Sequence, residues 1–141
     1  MSDAADYAAG SARVAPETDS DSFFAGFIAA IALIGSKRLM GSRIALNRAF
    51  WQAVKGPEGQ FVDLRDLAID FDPLYGVSPW FERALTRAQR DLLVSFPNPT
   101  YQAVEIKLNS DQANQVLDLT GNRERFMALA EAFTANMVTE R

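Results

Sequence analysis

The chain has no cysteine and no histidine. Without cysteine there is no disulfide, no thiolate nucleophile and no Cys/His zinc site. Without histidine there is no imidazole to move protons near neutral pH. Only carboxylate or lysine chemistry remains open to an enzyme, so we expect a non-enzyme with no metal and no cofactor. Long apolar runs are also lacking. The longest uncharged stretch, Ser22–Ser36 (SFFAGFIAAIALIGS), falls short of the roughly 20 residues that cross a bilayer. It reads instead as a helix buried on all sides. The N-terminus lacks the basic-then-apolar layout of a secretory leader. The expected location is cytoplasmic, with no membrane partner.

What is present is enough for one core. The 141 residues are 48% apolar, which suits a single domain. The formal net charge of −4 comes entirely from residues 1–21, where Asp3, Asp6, Glu17, Asp19 and Asp21 face Arg13 alone. That segment is rich in Ala, Ser, Asp and Gly without apolar periodicity, and reads as a disordered acidic tail. The remainder, residues 22–141, is expected to form the domain. Its charge is neutral in sum but uneven: residues 22–90 hold nine bases and six acids, and residues 91–141 hold four bases and seven acids. A chain polarised in this way can present a basic surface to an anionic partner.

The pattern predicts mostly helix. A first helix is expected over 22–36. A second spans 42–55, with Ser42 as its cap, Gly56-Pro57 as its stop, and Leu46, Ala49, Phe50, Ala53 and Val54 as its buried stripe. Residues 61–69 read as a short helix or a strand-to-helix step, with Leu64, Leu67 and Ala68 on one face. Asp70–Gly76 read as a loop broken by Pro73 and Gly76. From 79 a further helix has Ser78 as cap, Pro79 in its first turn and Glu82 at the positive end of its dipole. Phe81, Leu85, Ala88 and Leu92 face inward, helped by Ala84. Val94 and Phe96, then Val104, Ile106 and Leu108, alternate with polar residues around Pro97-Asn98-Pro99-Thr100, which predicts a hairpin. Ser110 is expected to cap a helix to about Leu119. A last helix over 122–138 aligns Phe126, Leu129, Ala130, Phe133 and Met137.

Arg83, Arg87 and Arg90 lie at i, i+4 and i+7 of the helix from 79, so they share one outward face, flanked by Thr86 and Gln89. Arginine donates two hydrogen bonds at once to guanine O6/N7 or to phosphate. A helix carrying such a row fits the major groove, with the hairpin beside it. Arg43, Arg48 and Lys107 are candidate phosphate contacts. Other constellations are poorer. Glu105-Ile106-Lys107 has the spacing of half a metal-dependent nuclease site, but needs an upstream acid; alternating Glu and Lys on the wet face of a hairpin is the ordinary explanation. Trp51, Tyr75 and Trp80 would either line a small pocket or join the core.

The run VDLRDLAIDF…GVSPWFERALTRAQRDLLVSF…YQAVEIKLNSDQANQVLDL resembles the core of winged helix-turn-helix regulators of the MarR type. That resemblance implies a mainly α fold with a small β-hairpin, flanked by N- and C-terminal helices. It implies a homodimer through the apolar segments Phe23–Ile34 and Phe126–Met137, and double-stranded DNA as partner. The chain departs from the family in its longer loop at Asp70–Val77, in the missing glycine after the recognition helix and in the missing Asp-x-Arg wing signature. Tyr75-Gly76-Val77-Ser78 is also similar to a step in SocA/Panacea-type winged-helix-like domains. That likeness implies an alternative, a protein-interaction or antitoxin/adaptor module without DNA binding.

Overall fold

The computed structural model describes residues 16–35, 38–91, 93–95 and 103–139. Along the chain run α1 (Pro16–Leu33), β1 (Arg38–Met40), α2 (Arg43–Lys55), α3 (Leu64–Leu67), α4 (Pro79–Arg90), β2 (Val94–Ser95), β3 (Ala103–Ile106), α5 (Ser110–Thr120) and α6 (Arg123–Thr139). The protein is mainly helical with one small antiparallel sheet. The expected tip, Pro97–Thr100, together with Phe96 and Leu92, lies outside the described residues.

α1 is the central helix and packs on α3, α4, α5, α6 and β3. It starts at Pro16, six residues before the expected position. Composition reads 16–21 as tail, yet Pro16 is what a helix start favours, with its φ preset. Ser20 is buried with it. Residues 1–15 of the expected tail lie outside the described residues.

The apolar segments Phe23–Ile34 and Phe126–Met137 pack on each other within the chain. Phe23 packs on Phe126 at 5.7 Å between ring centroids, and Phe27 meets Phe133 edge-on at 5.2 Å. Both helices are buried along these faces. A Cβ on Gly26 would come within 2.9 Å of the Phe126 ring, so this glycine lets α6 approach. An apolar stripe specifies burial but not the molecule that provides it.

The helix boundaries follow their caps. Ser42 accepts from the Ala45 N–H and opens α2 as expected. α5 is opened by Asn109 rather than Ser110. The Asn109 side chain accepts from the Gln112 N–H at 2.8 Å, and the Gln112 side chain accepts from the Asn109 N–H at 2.9 Å, a reciprocal box. The helix expected over 61–69 shrinks to the single turn α3, capped by Asp63. The Asp66 N–H that Asp63 accepts holds this carboxyl below its usual range. Ala68 lies just past α3 in the left-handed region and is exposed rather than inward.

β3 is the middle strand. It pairs with β2 in the expected hairpin (Val94↔Ile106, Ser95↔Glu105), and on its other edge with β1 (Arg38↔Glu105, Leu39↔Val104, Met40↔Ala103). β1 is only three residues long, too short for an alternation to register, and its partner lies far along the chain. Val104, Ile106 and Leu108 are buried as expected. Among the described residues, no helix is long and apolar enough to cross a membrane.

Candidate nucleic-acid interface

α4 is strongly two-sided. Trp80, Phe81, Ala84, Leu85 and Ala88 are buried, and each large one contributes about 1.5–3 kcal/mol by leaving water. Phe50 of α2 backs them, stacked on Phe81 at 4.5 Å and on Trp80 at 5.7 Å. Phe24 of α1 also meets Trp80 and Phe81 edge-on, each at 5.9 Å, so α4 rests on α1 and α2 together rather than on the expected segment 61–69.

The N-terminus of α4 is pinned through side chains. Ser78 caps it by accepting from the Phe81 N–H, and Asp70 accepts from the Trp80 N–H, each at 3.1 Å. The Glu82 N–H donates to the Ser78 carbonyl, and Pro79 has no donor. The N–H groups of the first turn are thus all engaged within the chain. Asn47 ties this end to α2. It is fully buried, accepts from the Ser78 N–H at 2.8 Å, and donates to Glu82 Oε2 at 2.7 Å and to the Arg43 carbonyl at 2.9 Å. Arg43 Nε donates to Glu82 Oε1 at 2.8 Å.

The expected contact residues divide into groups. Arg83, Thr86, Gln89 and Arg90 are exposed on the outer face of α4. A shallow hollow of about 350 Å³ there is lined by Glu82, Arg83, Thr86 and Arg87. Thr86 donates its hydroxyl proton to the Glu82 carbonyl, which leaves its oxygen as an acceptor. Arg90 stands 3.7 Å from the Asp91 carboxylate. Arg87 is half-buried, and its Nε donates to Asp21 of α1 at 2.9 Å. Arg43 lies beside the first turn of α4 through Glu82, and Arg48 is five residues further along α2, on a different side of it. Lys107 is exposed just past β3, where its N–H donates to the Leu93 carbonyl.

Two of these features escaped the sequence reading. Composition places Asp21 in the tail, whereas it lies in α1. Asn47 lies between the buried Leu46 and Phe50 stripe positions. A polar residue beside that stripe is the signal that would have found it.

The other constellations come apart. Glu105 lies 3.9 Å from Arg38 across the strands and accepts from the Ser95 hydroxyl at 3.4 Å. Asp70 and Asp72 accept backbone N–H groups. Among the described residues, no group of three or more acids could hold a metal ion. Trp80 is core, Trp51 stacks on Phe71, and Tyr75 is exposed, so the three line no common pocket. Searches among protein-family models, curated proteins and solved structures find no match to this chain.

Proposed function

We propose that this protein is a winged helix-turn-helix DNA-binding protein, with α4 as the helix that enters the major groove. One observation carries this reading: Arg83, Thr86, Gln89 and Arg90 share the exposed side of a rigidly capped helix whose other side is core. The order of packed helix pair, recognition helix and antiparallel hairpin supports it. In this reading Arg43, exposed at the start of α2 and paired through Nε with Glu82, turns its remaining guanidinium donors to a phosphate beside the groove. Retention of a labelled duplex at low salt tests the reading. Each Arg→Ala change at 83 or 90 should reduce the salt slope by about 1 if the side chain meets phosphate, or cost about 1–3 kcal/mol if it reads a base.

A second reading has its own support. Acids sit against three of the basic residues: Glu82 at Arg43, Asp21 at Arg87 and Asp91 at Arg90. This lowers the positive potential of the face and suits a winged-helix-like protein-interaction module. That reading predicts no salt-sensitive retention of duplex at all.

A further inference from the structure

An open cleft of about 300 Å³ lies between the first turns of α1, the single turn α3 and one side of α4. Ser20 of α1, Asp66 and Leu67 of α3, and Trp80, Arg83 and Arg87 of α4 line it. The volume is at the low end of the roughly 300–1,000 Å³ of ligand pockets. It suits a small metabolite rather than a nucleotide.

Two buried donors in this cleft lack acceptors. Ser20 is 7% exposed and Trp80 is 3% exposed. Among the described residues, neither the Ser20 hydroxyl nor the Trp80 indole N–H has a hydrogen-bond partner. Buried polar groups are nearly always paired. Two orphan donors lining one cleft therefore point to an acceptor from outside the chain.

The charges divide by wall. On α4, Arg83 has no ion pair among the described residues, and Arg87 donates from Nε to Asp21 at 2.9 Å. A guanidinium carries five N–H donors, so the α4 wall still offers several. On α3, the Arg65 charge acts on Asp63, whereas Asp66 has no ion pair among the described residues. Leu67 and the Trp80 indole supply apolar surface. The walls are fixed in advance. The Asp66 N–H donates to the Asp63 carboxylate at 3.0 Å, the Ile69 N–H to the Leu64 carbonyl at 2.9 Å, and the Trp80 N–H to the Asp70 carboxylate at 3.1 Å. A preorganised cleft loses little entropy on binding.

We propose that this cleft binds a free α-amino acid with an aliphatic side chain. Its carboxylate pairs with the Arg83 guanidinium and accepts from the Ser20 hydroxyl. Its ammonium meets Asp66, and its side chain lies on Leu67 and Trp80. The two signs decide the class. A simple carboxylic acid or a phosphate would set an anion against Asp21 and Asp66 with no cation to offset them. An amine without a carboxylate would set a cation against two arginines. The inference does not rest on α4 binding DNA.

Isothermal titration calorimetry of the full chain with L-leucine, in the absence of DNA, tests it. Saturable binding below about 10 mM is expected. Isocaproate, which is leucine without its ammonium, and isoamylamine, which is leucine without its carboxylate, should each bind at least about tenfold more weakly. These two analogues need no variant, so the test survives a substitution that unfolds the chain. Arg83→Ala and Asp66→Asn should each weaken leucine binding at least about tenfold, and Ser20→Ala several-fold. Arg125→Ala, which removes an exposed arginine of α6, should leave it unchanged. No leucine binding, equal binding of isocaproate, or binding indifferent to both Arg83→Ala and Asp66→Asn overturns the proposal. Each of these results leaves the duplex experiment on α4 untouched.

Discussion

At the scale of single residues, Asn47 does the most to set the geometry of α4. Its amide is fully buried, and one substitution strands several partners. Asn47→Ala leaves the Ser78 N–H without an acceptor and deprives Glu82 of a donor. Unpaired buried groups cost about 1–3 kcal/mol each, so we expect a loss of about 2–4 kcal/mol in urea unfolding. A loss below about 1 kcal/mol would show that the amide merely fills space. Asp21 is the opposite case. Its pair with Arg87 is exposed enough that Asp21→Asn should change stability by less than about 1 kcal/mol. The same change releases a guanidinium on the proposed DNA face. Under the DNA reading, duplex affinity at low salt should therefore rise several-fold; an unchanged or lowered affinity would remove Arg87 from the interface.

At the scale of elements, α1 and α6 form one packing unit with α5. Phe133 is fully buried and meets Phe27 edge-on. Phe133→Ala should cost about 3–5 kcal/mol, read as a lower urea midpoint at unchanged slope. A cost near 1 kcal/mol would mean that α6 is only loosely attached. The elements also show what sequence could reveal. α2 and α4 were legible because their caps, stops and apolar stripes agree, down to Ser42, Ser78 and Pro79. The β2–β3 hairpin was legible from its alternation. β1 was not, since three residues carry no period and their pairing with β3 is long-range. The start of α1 was hidden because its acids resemble those of a tail. The outward side of α4 was readable from spacing, but the ion pairs that occupy part of it were not, because Asp21 is brought to Arg87 only by the tertiary fold.

At the scale of the whole molecule, the question is whether the outer face of α4 meets a polyanion. A net charge of −4 opposes long-range attraction, so any DNA affinity must arise locally from a few guanidinium groups. The decisive measurement is fluorescence anisotropy of a labelled 30-base-pair duplex (about three helical turns) across a salt series, comparing the wild type with Arg83→Ala/Arg90→Ala. We predict salt-sensitive binding by the wild type and a slope shallower by about 2 in the double variant. An absence of binding at low salt, or binding that the double variant leaves untouched, would contradict the proposal that α4 is a DNA-recognition helix.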